Sequence, residues 1–196
     1  NVSSDEKAFR PKDLVDQFAN EPLQFTPGER FEYSNSGYTL LGHILETVSE
    51  KQYEVILKEK IFSPLKMNNS GFYKHSPIIK NLSSGYNKWF GEYYDVANSD
   101  ESTAFSAGGI YSTVEDLSLW DQALYQEILL PKKYMDQIFT AHIADPVGGF
   151  YGYGWELIQR TIGNTNEKIE TISHGGSING FRSSIRRIPS SKSTIV

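Results

Sequence analysis

The chain has 196 residues, no cysteine and a net charge of −5. That length can bury one core without staples, and the missing thiols exclude disulfides, cysteine nucleophiles and thiolate metal sites. Hydrophobic residues at 38 % match an ordinary globular domain, the acidic balance offers no basic footprint for nucleic acid, and no apolar run reaches membrane-span length.

Residues 1–10 are polar and read as a frayed lead-in. Pro11 suits a first helical position, with Leu14, Val15 and Phe18 following on one face. Glu21-Pro22 and Thr26-Pro27-Gly28 then break the chain just before Tyr33. From Ser36 to Glu50, Leu41, Ile44, Leu45 and Val48 recur with the i, i+3, i+4, i+7 spacing of an amphipathic helix. A second helix over roughly 52–62 turns Tyr53, Ile56, Leu57 and Ile61 inward and is expected to stop at Pro64.

Residues 67–106, rich in Asn, Ser, Gly and Tyr, read as a long irregular loop, and loops of that length inside a domain are often functional. Thr113 followed by Asp116 reads as a capping box opening a helix to about Tyr125, with Leu117, Trp120 and Leu124 inside. Pro131 starts a short helix carrying Tyr134, Met135, Ile138 and Phe139. After Pro146, residues 153–161, 168–174, 180–188 and 193–196 read as strands joined by Gly, Asn and Ser turns. Helices first and antiparallel strands second argue one α+β domain, 1–145 mainly helical and 146–196 sheet. Asn1 is not a start methionine and the last strand stops short, so both ends are expected to continue.

Two motifs carry chemistry. Tyr33-Ser34-Asn35 stands at the mouth of the first long helix, where a phenol and an amide two residues apart can share a cleft. A phenol there can relay a proton if nearby cations stabilise its phenolate, and the asparagine amide can hydrogen-bond a substrate amide. A capping asparagine beside a packed tyrosine is the bland alternative. His174-Gly175-Gly176-Ser177 falls in a strand, where two glycines let a substrate backbone approach as an added strand would. Aromatic residues at 13 % fit either a Tyr-rich core or an aromatic-lined cleft. His43, His75 and His142 have no metal-ligand spacing and read as structural.

These motifs sit in an ordered series. Phe25 to Tyr38 with Leu40-Leu41-Gly42 comes first, then Ile61 to Met67 with Ser70-Gly71-Phe72. Ala107 to Thr113 with Glu115-Asp116-Leu117, Tyr151 to Trp155, and His174 to Ser177 with Gly180-Phe181 follow. The series, over nearly all of 11–196, resembles the serine β-lactamase and penicillin-binding-protein family, in its class C-like branch. The resemblance implies an incomplete transpeptidase-like α+β fold and an acyl-enzyme hydrolase acting on a β-lactam, a D-Ala-D-Ala-type peptide or a small ester. It implies Tyr33 as proton relay, Asn35 as substrate-amide contact and His174, where relatives carry Lys or His, as partner of Tyr33. Gly175, Gly176 and Ser177 would form the substrate edge, with the Ser177 N–H one oxyanion donor. No metal or organic cofactor is implied, the partner is a small-molecule or peptide substrate, and the setting is a bacterial envelope or secreted protein.

The family's nucleophile comes from a Ser-x-x-Lys. Ser4 to Lys7 lies in the polar tail with no apolar face, and Ser63 to Lys66 follows Tyr33 instead of preceding it. Neither offers the desolvated lysine that activates a serine. The chain alone is therefore expected to be inactive, its nucleophile lying upstream of Asn1. Without that segment the sheet would keep an open edge, so the chain is expected to be marginally stable or to self-associate. The alternatives are a relative that lost the nucleophile and binds ligands in the cleft, and an interaction domain that does not use the cleft.

Overall fold

Proline occupies the first turn of α1 (Pro11–Asp16), where its fixed φ suits the helix and its missing N–H costs nothing. The computed structural model describes residues 10–73, 78–96 and 101–196, with helices leading and the main sheet closing the chain. α2 (Asn35–Ser49) is capped by Ser34, whose hydroxyl accepts the Gly37 N–H. α3 (Tyr53–Leu57) passes through a π turn, Lys58–Phe62, into α4 (Ser63–Leu65). The expected stop at Pro64 is thus displaced to Lys66, which takes the left-handed conformation. A proline ring would press on the carbonyl four residues back in a regular helix, and the wider π turn before it relieves that contact.

α2 departs from expectation in what it buries. Leu41, Ile44, Leu45 and Val48 lie on an open side, Val48 being 80 % exposed, while the covered side carries Thr39 and Gly42. That side meets the 3-10 segment Glu101–Ala107 so closely that a Cβ on Gly42 would lie 2.4 Å from Ser106 Cβ. The Ser106 hydroxyl donates to the Tyr38 carbonyl at 2.8 Å.

α5 (Val114–Ala123) is capped by Thr113, which accepts the Asp116 N–H. The Asp116 carboxylate accepts the Asn69 N–H at 2.8 Å and the Ser70 O–H at 2.7 Å, which ties α5 to the chain leaving α4. α6 (Lys132–Ile138) follows Pro131 as expected. One core cluster joins Leu57, Phe62, Leu65, Met67 and Ala123; a second joins Leu124, Met135, Trp155 and Ile172, and Trp120 packs against both.

The described residues of the segment 67–106 carry more regular structure than the composition suggests. They hold β1 (Gly71–Phe72) and the hairpin β2 (Tyr86–Trp89)–β3 (Glu92–Asp95), turned by Phe90 and Gly91 at positive φ. β4 (Ile110–Tyr111) pairs back antiparallel with β1.

The main sheet contains β5 (Ile143–Ala144), β6 (Phe150–Tyr151), β7 (Glu156–Thr161), β8 (Lys168–Ile178), β9 (Phe181–Ile188) and β10 (Ser193–Ile195), each antiparallel to its sequence neighbour. β7 starts at Glu156 and not at 153 because Gly152–Gly154 make a turn, with Gly154 at φ 78°. β8 runs four residues past the expected 174, so the His-Gly-Gly-Ser run is strand throughout. Arg187 of β9, 1 % exposed, pairs with Asp121 of α5 and lies over the Tyr125, Phe139 and Trp155 rings. It fastens the helices to the sheet.

Candidate active site

Gly28, at φ 87°, turns the chain so that residues 31–34 approach the sheet without helical structure. Tyr33 is delivered just before the Ser34 cap, and Asn35 is the first residue of α2. On the sheet side, Ile172 of β8 packs against the helices, and His174, two residues on, leaves the same face of the strand. The two segments meet with the Tyr33 and His174 rings tilted at 34° and 6.3 Å between centres.

The hydrogen bond of His174 goes elsewhere. Its Nε2 lies 2.7 Å from the Tyr151 hydroxyl, and its Nδ1 lies 2.7 Å from the Gly175 carbonyl. A carbonyl can only accept, so Nδ1 carries a proton, and in the neutral form of the ring Nε2 then accepts from the Tyr151 O–H. The Tyr151 ring packs at 4.8 Å against Phe31, two residues before Tyr33, the two planes tilted by 42°. Burial pushes the Tyr151 phenol well above its ordinary range, with Tyr38, Tyr33 and Glu156 adding to the rise. Tyr38 is raised as well, by burial first and then by Tyr33.

Gly175, Gly176 and Ser177 are exposed along β8. A Cβ on Gly176 would crowd the Ser183 hydroxyl of β9 and turn that side chain aside, while Ser183 Cβ stays at an ordinary 3.7 Å. All six residues singled out in the sequence, Tyr33, Asn35, His174, Gly175, Gly176 and Ser177, line one open cleft of about 2670 Å³. The β2–β3 hairpin forms part of the rim: Tyr86 N–H donates to the Gly180 carbonyl at 3.1 Å, and Gly85, Asp95 and Val96 face the cleft.

Tyr151 was missed as a site residue, although its position in the Tyr-Gly-Tyr-Gly-Trp block was a usable signal. Ser63 faces a separate cavity of about 390 Å³ with Phe62 and Met67 and does not line the cleft. Ser4, Lys7 and His75 lie outside the described residues. His142 stacks on Tyr153 at 4.4 Å and is hydrogen-bonded to the Gln137 carbonyl, a packing role, and His43 is half-buried on α2. Among the described residues no group of His, Asp and Glu is assembled that could hold a metal ion.

A family model described as Beta-lactamase matches residues 2–196. Penicillin-binding protein 4* of Bacillus subtilis is 31 % identical over 200 residues, which is 94 % of this chain and 43 % of the relative. Among solved structures, a penicillin-binding protein from Bacillus halodurans aligns with a TM-score of 0.79 at 26 % identity, over 94 % of this chain and 56 % of its own. A D-stereospecific amidohydrolase from Streptomyces sp. aligns at 0.80 and 26 %, over 96 % and 55 %. The chain spans less than half the length of the curated relatives it matches and about half of the solved ones. The ordered motifs, the shared cleft and this match across the whole chain give one conclusion: the chain belongs to the beta-lactamase family and carries part of its α+β fold.

Proposed function

We propose that the protein carrying this chain is a serine hydrolase that forms an acyl-enzyme with a β-lactam, a D-Ala-D-Ala-type peptide, a D-amino-acid amide or a small ester, and releases it to water. The observation behind this reading is the convergence of Tyr33, Asn35 and the His174–Ser177 strand on one cleft. In this reading the attacking serine and its lysine lie outside the 196 residues. The serine oxygen adds to the substrate carbonyl as its O–H proton is taken up by the lysine and Tyr33, Tyr33 relays that proton to the leaving nitrogen or oxygen, and water later cleaves the ester, returning the proton to the serine. Asn35 holds the substrate amide, and the Ser177 N–H supports the developing oxyanion. His174 braces the strand that carries the glycines. The relatives' names favour the bacterial envelope as the setting, and an octameric penicillin-binding-protein homologue from Pyrococcus abyssi, aligned at a TM-score of 0.79, makes self-association a reasonable part of the picture.

The test uses the complete reading frame. Covalent labelling with a fluorescent penicillin and turnover of a chromogenic cephalosporin, D-amino-acid amides and small esters are measured together. Tyr33→Phe is expected to lower kcat by about 10²–10⁴-fold, and Asn35→Ala to raise KM. A frame without a buried Ser-x-x-Lys, together with no labelling and no turnover, overturns the enzyme reading. Ligand binding that survives in such a protein but falls in Asn35→Ala supports a non-catalytic binding module.

A further inference from the structure

We infer that Tyr151 is the positioning residue of the third motif: its hydroxyl fixes the tautomer and orientation of His174 and thereby leaves Tyr33 free for the substrate. The catalytic meaning of this rests on the hydrolase reading above; the hydrogen-bond assignment does not.

A neutral imidazole has one donor and one acceptor, and the structure accounts for both. Gly175 O takes the Nδ1 proton and Tyr151 O–H fills the Nε2 lone pair, each at 2.7 Å. Which nitrogen of a histidine carries the proton is set by the bond the other one makes, so a fixed donor at Nε2 selects the Nδ1–H form. Tyr151 is built to be such a donor. Its carbonyl accepts the His142 N–H at 3.1 Å, its register neighbours are Ile143 and Glu156, and Phe31 covers its ring. Strands on both sides and a ring on top leave the hydroxyl little freedom. The phenol also keeps its proton, because its surroundings disfavour the phenolate.

Tyr33 is placed for a different task. Its ring lies beside His174 without a hydrogen bond to it, 55 % exposed, and its hydroxyl has no hydrogen-bond partner among the described residues. Two tyrosines flank one imidazole, one spent on holding it and one facing the cleft. With Nδ1 on the Gly175 carbonyl and Nε2 on the Tyr151 hydroxyl, the His174 ring presents no free nitrogen to Tyr33. It acts on the site by holding the Gly175 peptide at the start of the exposed glycine edge.

Long-range 1H–15N spectra of the complete protein test this, with His174→Gln assigning the resonances of that ring. The expected result is a protonated Nδ1 and a bare, pyridine-like Nε2 in the parent protein. Tyr151→Phe should bring in an Nε2–H population while the backbone amide spectrum persists. A parent His174 protonated at Nε2, or a Tyr151→Phe spectrum with the same tautomer as the parent, overturns the assignment. If Tyr151→Phe does not fold, the parent decides: a slowly exchanging Tyr151 hydroxyl proton near the His174 ring supports it, and an Nε2–H signal overturns it. In the complete protein Tyr151→Phe is expected to lower kcat about tenfold with KM little changed, part of the roughly 10²-fold that a 1 Å misplacement at a reacting site can cost. Unchanged kcat overturns the positioning role. Absence of any turnover in the parent protein would count against the hydrolase reading alone.

Discussion

Replacing Asp121 by asparagine removes the carboxylate paired with the buried Arg187 guanidinium, and the structure sets the size of the loss. Arg187 is 1 % exposed and Asp121 5 %, with Arg187 Nε donating to Asp121 Oδ1. Unit charges at about 4 Å attract by about 4 kcal/mol at an effective dielectric near 20. Leaving one partner of a buried pair behind costs about 3–5 kcal/mol. Two features soften that cost here. The asparagine oxygen can still accept the Nε proton, a neutral-acceptor bond worth about 1 kcal/mol net. The guanidinium also keeps the Tyr125, Phe139 and Trp155 rings at 4.5, 5.0 and 5.8 Å from its central carbon, and desolvated contacts of this kind reach about 2 kcal/mol. A loss of about 3 kcal/mol is therefore expected, a large share of a typical 5–15 kcal/mol. Urea unfolding followed by tryptophan fluorescence reads it, since Trp155 reports on the pair directly. The double variant Asp121→Leu with Arg187→Met should recover to within about 1 kcal/mol of the parent, because neither charge is then buried. A change below about 0.5 kcal/mol in Asp121→Asn, or a double variant as unstable as the sum of the singles, refutes the reasoning.

Gly42→Ala pits helix propensity against space. Alanine gains about 1 kcal/mol in a helix interior, but its Cβ would fall 2.8 Å from the buried Phe105 ring as well as against Ser106. Overpacking costs about 1–3 kcal/mol, so chemical denaturation should show a net loss, and a gain would mean that the 3-10 segment yields freely. Alkaline titration at the phenolate absorbance should show a late-ionising set that includes Tyr53 and Tyr151, both raised above the ordinary 10.0, with burial the leading cause. Because folding raises these values, their contribution to stability is intact below pH 10.0 and is lost as pH rises through the folded values. The late ionisation should coincide with unfolding, and a single titration step at the ordinary value would contradict it. The open apolar side of α2 and the outer edge of β10 predict association that grows with protein concentration in sedimentation velocity, weakened by Val48→Lys. A monodisperse monomer across the micromolar range would count against it.

Periodicity made the helices and the late strands legible. The 3.6-residue spacing located α2, α5 and α6, and the Gly and Asn turns after Pro146 located β7 to β10. What a helix buries was less legible. Within these 196 residues the apolar side of α2 is open and its small-residue side meets the Glu101–Ala107 segment at Gly42, a close approach that apolar periodicity does not signal. The β2–β3 hairpin was hidden because all eight of its strand residues are exposed and aromatic residues stand on both faces, which erases alternation. The cleft residues were legible as motifs, since type and order carry that signal. The Tyr151–His174 bond was not, because 23 residues separate the partners and only the pairing of β6, β7 and β8 brings them together.

The strict sequence order of β5 to β10 also bears on how the molecule is assembled. Each strand finds its mate across a short turn, so the sheet can form by successive local closures with little loop entropy at each step. The tie from Asp121 to Arg187 spans 66 residues and cannot form until β9 is in place. The sheet would then collapse early with its helical cover loosely attached, and docking of α5 would be the late event. Amides of β8 should accordingly resist exchange longer than those of α5, and opening at that seam would be the route by which the site is first lost.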